Sequence, residues 1–211
     1  MLIRKILKSI KLFWLFKKIA IILLHLKSKI FISMNAKKIK ALNLGSGPIK
    51  SSNQLFNVDL FGADINFDLT KQFPFKDNSI EFIYTSHFLE HLSFNELNNL
   101  LSECYRVLKP DSKISIVVPN ARLYINAYVN NDPFLSYQDM FEGGKVETGS
   151  SLDQINYIAY LGGDHKHMFD IDSLLRILNN HGFKDSRERD FDSNYDKEGR
   201  DFESIYAEAF K

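Results

Sequence analysis

The sequence predicts an α/β protein with a doubly wound, mostly parallel sheet. From residue 39 onward, short apolar runs of strand length alternate with segments of helical period. The first run, residues 39–44, leads directly into a glycine-rich turn, as at the carboxyl edge of a parallel strand. With 211 residues, of which 45% are hydrophobic, the chain is long enough to bury one domain.

The first 40 residues form a basic head. They hold 11 of the 27 Lys and Arg residues and none of the 26 acidic ones, so residues 41–211 carry a net charge of −10. Because the acidic body repels phosphates, nucleic acid is not an expected partner. Apolar and basic residues repeat at close to helical period, so residues 1–37 are predicted to form an amphipathic helical segment. Its predicted apolar face consists of Ile3, Ile6, Leu7, Ile10, Phe13 and Trp14.

Two roles for this helix remain open. Its longest uninterrupted apolar run has only eight residues, whereas a membrane-spanning helix needs about 20. No small-x-small cleavage site follows the run, so a secretory signal is not predicted. Residues 1–32 could lie on an anionic membrane surface, or the helix could cover the body or pair with another subunit in a homodimer. We expect a cytoplasmic protein, and the membrane interpretation places it peripherally at the inner membrane face.

Residues 38–211 are predicted to form the main domain, with strands and helices in a clear order. Ser93 and Glu96 have capping-box spacing at the start of a helix that ends before Pro110, and a second helix covers residues 170–182. Residues 121–163 are rich in Tyr and Phe with little regular pattern, which predicts an insertion that forms a lid or a dimer surface. The predicted strands are residues 39–44, 56–60, 65–69, 80–86, 113–120 and 203–210.

Four short motifs follow one another in the first half of this domain. They are the glycine turn at 45–47, PF-x-D-N-S at 74–79, LEHL at 89–92 and E-x-x-RVLKP at 103–110. Together with the acids that end the second and third strands, they resemble the class I S-adenosylmethionine-dependent methyltransferases, in particular the methyltransferase type 11 group. The resemblance covers about residues 40–120 and more loosely 165–183. It implies a seven-stranded, Rossmann-like sheet and S-adenosyl-L-methionine as the cofactor.

The same resemblance implies the residues of the cofactor site. The glycine turn would line the methionine moiety, Asp59 would bind the ribose, and Asp68 would lie at the adenine. Ser86 and His87 would face the sulfonium and the substrate, and Glu90 would contact the cofactor's amino group or the substrate. The implied cofactor-binding set is Gly45, Ser46, Gly47, Asp59, Asp68, Ser86 and Glu90.

The pattern His87-x-x-Glu90-His91 also has the spacing of inverzincin zinc proteases. A protease is disfavoured, because both histidines would have to lie within one helix, whereas His87 directly follows a predicted strand. A metal site of His87, His91, His165 and His167 is an alternative, but we expect no metal. Histidine titrates at about pH 6.5 and can remove a proton from a hydroxyl nucleophile. The candidate catalytic residues are therefore His87, His165 and His167, each of which could instead be a surface or hydrogen-bonded histidine.

The predicted function is transfer of a methyl group to a small molecule, sugar or glycan intermediate, most simply by O-methylation. The aromatic residues of 121–163 suit a sugar ring or a planar acceptor. The alternative is a catalytically weak or inactive interaction module of the same fold at a membrane surface. It is supported by Pro48-Ile49, where the family often has a third glycine, and by the nine residues between Pro48 and Val58, too few for the usual first helix.

Overall fold

The computed structural model describes residues 2–48, 55–136 and 138–211; the side chains of residues 2–14, 16–18 and 20 are outside the described part. One sheet of seven strands lies at its centre. The strands are β1 (Ala41–Leu44), β2 (Phe56–Asp59), β3 (Ile65–Asn66), β4 (Ile80–Ser86), β5 (Leu108–Pro119), β6 (Lys184–Glu188) and β7 (Ser204–Phe210).

The strand order is β3-β2-β1-β4-β5-β7-β6, and β7 runs antiparallel to both of its neighbours while the other pairs are parallel. The predicted doubly wound, mostly parallel, seven-stranded sheet is confirmed. Leu44 of β1 lies beside Val58 of β2 on one side and Thr85 of β4 on the other. The strand order reverses between β1 and β4, which is where open α/β sheets bind ligands.

The described helices are α1 (Leu2–Asn35), α2 (Phe94–Val107), α3 (Ala121–Asn130), α4 (Leu152–Tyr160) and α5 (Ile171–Asn180). The predicted capping box of α2 is present: the Ser93 side chain accepts from the Glu96 N–H, and the Glu96 carboxylate accepts from the Ser93 N–H at 2.8 Å. The helix buries one face, because Leu97, Leu100, Leu101, Cys104 and Val107 recur at helical spacing. Asp170 and Ser173 form a second capping box at α5.

Several elements differ from the sequence prediction. β6 was not predicted, because its residues are polar and mostly exposed and show no apolar alternation. β5 begins at Leu108, five residues before the predicted start at 113, and β3 has only two residues. Residues 121–163 contain two helices, α3 and α4, where little regular structure was predicted. These helices bury Tyr124 and Tyr157 in a separate apolar cluster with Leu135 and Met140, and Tyr137 lies outside the described residues.

The second half of α1 packs on the β3 edge of the sheet. The Asn66 N–H donates to Ser28 Oγ at 2.9 Å, the Asp68 N–H donates to His25 Nε2 at 3.1 Å, and Ile32 is buried in the central core. Within the predicted segment 1–37, these residues therefore contribute to the packing of the main domain.

The amphipathic character predicted for α1 is not confirmed. The side chains of the predicted apolar face, Ile3 to Trp14, lie outside the described part. In the described part, Leu15, Ile19, Ile22, Leu26 and Ile30 are exposed to solvent. Among the described residues, no helix combines the length and the apolar character needed to cross a membrane.

Candidate functional site

A cavity of about 470 Å³ lies at the carboxyl ends of β1 and β4. Its walls are the glycine turn at residues 45–47, the end of β4 with Ser86 and His87, and a loop of residues 193–200. Its volume is within the range of about 300–1,000 Å³ that is usual for small-molecule sites. The cavity therefore lies where the topology predicts a ligand.

The glycine turn has a backbone that few other residues could adopt. Gly45 and Gly47 have φ values of 65° and 62°, in the left-handed region that favours glycine. The Gly47 N–H donates to Asp59 Oδ2 at 2.8 Å, which holds the turn against the end of β2. Among the described residues, no atom beyond the chain neighbours of Gly47 lies within 4 Å of the position that a Cβ of residue 47 would take. A ligand can therefore approach the backbone closely at this point.

The structure places the predicted cofactor residues in two groups. Gly45, Ser46, Gly47 and Ser86 line the cavity. As far as the described residues define the cavity, Asp59, Asp68 and Glu90 do not line it. Asp59 accepts from the Gly47 and Leu60 N–H groups, and Asp68 accepts from the backbone N–H and the hydroxyl of Thr70. The roles of Asp59 at the ribose and Asp68 at the adenine remain predictions.

The wall formed by residues 193–200 was not predicted from the sequence. It is held in place by Asp196, which forms a salt bridge with Arg189 at 2.6 Å and accepts from the Tyr84 hydroxyl at 3.1 Å. Lys197 and Arg200 bring positive charge to the cavity. Among the described residues, neither of these two side chains forms a salt bridge.

A second cavity, of about 370 Å³, lies next to the first. Part of its wall is aromatic and consists of the rings of Tyr124, Phe141 and Tyr157. The Tyr124 hydroxyl donates to Glu203 at 2.8 Å. His87 and Arg200 line both cavities. The remaining lining residues are Pro119, Ile158, Leu161, Asp164, His165 and Glu203.

His87 lines both cavities, and one of its ring nitrogens is engaged in a hydrogen bond. The Ser204 hydroxyl donates to the Arg200 carbonyl at 2.6 Å, so His87 Nε2 must donate to Ser204 Oγ at 2.9 Å. Its other nitrogen, Nδ1, lies 3.7 Å from Glu90 Oε1. Burial, followed by the charge of Arg200, lowers the pKa of His87 to about 3. The ring is therefore neutral at pH 7, and the role of His87 as a base remains a prediction.

The other predicted histidines have separate surroundings. His165 lines the second cavity and its Nδ1 lies 2.8 Å from the Ile158 carbonyl. His167 packs between the rings of Phe94 and Phe169 and lines neither of the two cavities. Burial lowers the pKa of both imidazoles. Of these two histidines, only His165 lines one of the two cavities, and no described residue forms a hydrogen bond with its Nε2.

The Glu90 carboxylate lies close to both histidines of the His-x-x-Glu-His pattern. Its carboxylate is 2% exposed and lies 3.9 Å from His91 Nε2. Burial raises the pKa of Glu90 to about 8. Glu90, His91 and His165 each place one ligand-type atom within 4.8 Å of the other two. This group differs from the four-histidine alternative, because it contains a carboxylate and leaves out His87 and His167.

Residues 28–116 match the family model described as "Methyltransferase domain" (Methyltransf_11). No curated protein sequence matches the chain.

Solved structures with the same fold include three with a TM-score of 0.50. The YcgJ protein from Bacillus subtilis is 13% identical, with 89% of this chain and 99% of that chain covered. Phosphoethanolamine N-methyltransferase 2 from Haemonchus contortus, in complex with S-adenosyl-L-methionine, is 13% identical, with 88% of this chain and 52% of that chain covered. A putative O-methyltransferase from Nostoc punctiforme is 11% identical, with 89% of this chain and 56% of that chain covered. The chain spans about half the length of the last two, and all three agree in fold alone.

Proposed function

We propose that this class I S-adenosyl-L-methionine-dependent methyltransferase methylates a hydroxyl oxygen of a small molecule, sugar or glycan intermediate. The observation that carries the proposal is the pair of cavities that meet at His87 and Arg200. S-adenosyl-L-methionine is the cofactor of this family, and when bound it supplies a methyl group on a positively charged sulfur. The chain itself has to hold the cofactor and the acceptor in line and keep water out.

The first cavity, which we call the cofactor cavity, has the groups that this cofactor needs. The backbone of Gly47 is open to a ligand, since no described atom beyond its chain neighbours lies near the position that a Cβ would take. The methionine moiety carries a carboxylate, and Lys197 and Arg200 supply the positive charge to bind it. We assign to Arg200 the larger share, because it lines both cavities and can orient groups on either side.

The second cavity, which we call the acceptor cavity, combines aromatic walls with polar groups. Tyr124, Phe141 and Tyr157 offer ring faces to an apolar or sugar-like body. His165, Arg200 and Glu203 offer groups that can hydrogen-bond to hydroxyls. Ligand sites are typically built in this way, from mostly apolar walls with a few polar groups that fix orientation. This composition supports a polyhydroxylated small acceptor.

Arg200→Gln tests the cofactor cavity. Losing a charge-assisted hydrogen bond to the carboxylate removes about 1.5–3 kcal/mol, so the affinity for S-adenosylhomocysteine should fall at least about tenfold. Calorimetric titration of the full chain measures the change. Arg176→Gln is the matched control, since it removes the same charge from an exposed position of α5 and should leave the affinity unchanged.

Absence of S-adenosylhomocysteine binding by the folded wild type would contradict the proposal and favour the non-catalytic interaction module. If Arg200→Gln leaves the affinity for S-adenosylhomocysteine unchanged, Arg200 does not bind the cofactor. The proposed methyltransferase function would still stand. With binding established, formation of S-adenosylhomocysteine from S-adenosyl-L-methionine in the presence of sugars and nucleotide sugars identifies the acceptor class.

We also propose that α1 rests on an anionic membrane surface at the cytoplasmic face. Seven apolar side chains in the described part of α1 are 43–80% exposed: Leu15, Ile19, Ile22, Leu23, Leu26, Ile30 and Met34. At 100° per residue they form one stripe, and the exposed Lys27 and Lys29 lie on its two borders. Lysines in this position can reach lipid headgroups while the stripe enters the interface. The absence of acids in residues 1–40 makes an anionic surface the fitting partner.

The double variant Ile22→Glu/Leu26→Glu tests this surface. It places two acids in the stripe and should lower binding to phosphatidylglycerol-containing vesicles at least about tenfold in a sedimentation assay. Val129→Glu is the control, because Val129 is an exposed apolar residue of α3 and lies outside the stripe. If the wild type binds no vesicles and the double variant instead converts a dimer to a monomer, a second copy of the chain covers the stripe.

A further inference from the structure

The geometry points to a divalent transition-metal site formed by Glu90, His91 and His165 beside the acceptor cavity. One nitrogen from each histidine and one carboxylate oxygen lie within 4.8 Å of one another. Two histidines and one carboxylate are a donor set found for Zn²⁺, Fe²⁺ and similar ions.

The two chain segments that carry these residues are fixed to each other. Glu90 and His91 lie in a short 3-10 turn after β4, and His165 lies in the loop between α4 and α5. The N–H groups of Lys166 and His167 both donate to the Glu90 carbonyl, at 2.8 and 3.1 Å. The three side chains are therefore brought together by backbone hydrogen bonds as well as by their own contacts.

Both imidazoles are held with one nitrogen available to a metal. His91 Nδ1 lies 3.1 Å from the Asp164 carbonyl, and His165 Nδ1 lies 2.8 Å from the Ile158 carbonyl. Because a carbonyl oxygen only accepts, each Nδ1 must carry the hydrogen, and in the neutral ring Nε2 keeps the lone pair. Metal-binding histidines are usually oriented in this way, with the second nitrogen donating to a backbone carbonyl.

Glu90 supplies a second, independent observation. Its Oε2 atom is buried and, among the described residues, has no hydrogen-bond partner. A buried carboxylate oxygen without a partner is unfavourable, and a bound cation would compensate it. His91 Nε2 is 3.9 Å from Glu90 Oε1, so the nitrogen already faces the carboxylate.

The site needs only a small adjustment to bind an ion. Ligand atoms about 2.0–2.1 Å from a tetrahedral Zn²⁺ lie about 3.4 Å apart. The ligand atoms, which lie within 4.8 Å of one another, therefore have to approach by up to about 1.4 Å. Three protein ligands leave one position open, as in catalytic zinc sites. Because His165 also lines the acceptor cavity, an oxygen of the acceptor can take that position; this last step rests on the proposed function.

The test uses the full chain after dialysis against a chelator, titrated with Zn²⁺ by calorimetry and with Co²⁺ by visible absorption. We expect about one ion per chain, and the Co²⁺ spectrum of a low-symmetry site with nitrogen and oxygen ligands. His91→Gln and Glu90→Gln should each weaken binding at least about tenfold. His91 is partly exposed, so its variant should fold normally. His167→Gln, in the same loop, should bind metal as the wild type does.

Two results would overturn the inference. One is the absence of Zn²⁺ binding by the wild type, and the other is equal binding by the His91→Gln and His167→Gln variants. S-adenosylhomocysteine titrations of the same preparations separate this inference from the proposed function. Cofactor binding without metal binding rejects the metal site alone, whereas metal binding without cofactor binding rejects the proposed function but retains the site.

Discussion

Asp196→Ala is expected to lower the free energy of unfolding by about 3–5 kcal/mol. The Asp196 side chain is 0% exposed and the paired Arg189 side chain 8%. Asp196 also accepts hydrogen bonds from the Tyr84 hydroxyl and the Asp192 N–H. Its removal would leave the guanidinium charge buried without a counter-charge, so the unfavourable desolvation would no longer be offset. Urea-induced unfolding followed by far-ultraviolet circular dichroism measures the change.

The same variant should also weaken S-adenosylhomocysteine binding, because Asp196 anchors the loop that forms one wall of the cofactor cavity. Asp190→Ala is the matched control: it removes an exposed carboxylate six positions earlier and should change stability by no more than about 0.5 kcal/mol. Replacing both partners, as in Arg189→Met/Asp196→Leu, should restore much of the lost stability. An Asp196→Ala midpoint equal to that of the wild type would show that the pair does not hold the loop.

The part of the site that could be predicted from the sequence depends on local chemistry. The glycine turn follows an apolar strand directly, and only a residue that tolerates positive φ suits Gly45 and Gly47, so spacing alone was sufficient. The start of α2 was predictable for the same reason, since the capping box needs only Ser93 and Glu96 three positions apart.

The unpredicted part depends on contacts between distant residues. Tyr84 and Asp196 are 112 positions apart, and Arg189 bonds to Ser115 across 74 positions. The loop that carries Asp196 contains turn-forming polar residues with no apolar period, so its sequence gives no sign that it closes a cavity. β6 was missed for a related reason, because its pairing with β7 is not reflected in any apolar alternation.

The histidines show the limit of composition-based reasoning. The sequence correctly indicates that residues near 87–91 and 165–167 could share one sheet edge. It does not indicate which ring nitrogen is engaged: His87 Nε2 and His165 Nδ1 form hydrogen bonds, and no described residue forms one with His165 Nε2. The contacts responsible are to Ser204 Oγ and the Ile158 carbonyl, neither of which belongs to a recognisable motif.

Gly45→Ala is expected to destabilise the fold by about 2–4 kcal/mol. A Cβ at this position would lie 2.1 Å from the ring of Phe88, so the ring would have to move. Overpacking of this kind costs about 1–3 kcal/mol, and an alanine in the left-handed region adds about 1 kcal/mol. Urea-induced unfolding followed by circular dichroism measures the loss.

Gly47→Ala separates the cost of the left-handed backbone conformation from the cost of contact with Phe88. Gly47 has nearly the same φ, 62° against 65° for Gly45, but no described residue beyond its chain neighbours has an atom within 4 Å of where its Cβ would lie. It should therefore lose only about 1 kcal/mol of stability, yet weaken S-adenosylhomocysteine binding because the added methyl group enters the cofactor cavity. Equal destabilisation by the two alanine variants would indicate that φ alone decides the requirement for glycine.

A double-mutant cycle with Phe88→Ala identifies the source of the Gly45 effect. If the ring causes the strain, Gly45→Ala should be less destabilising when Phe88 is already alanine, with a coupling energy of about 1–3 kcal/mol. If the two changes are additive, the ring is not the cause and the backbone conformation is. In the first case the glycine is required so that β1 and the segment after β4 can approach each other closely. That approach brings the glycine turn, Ser86 and His87 to one cavity, so the packing of Phe88 on Gly45 positions the cofactor cavity itself.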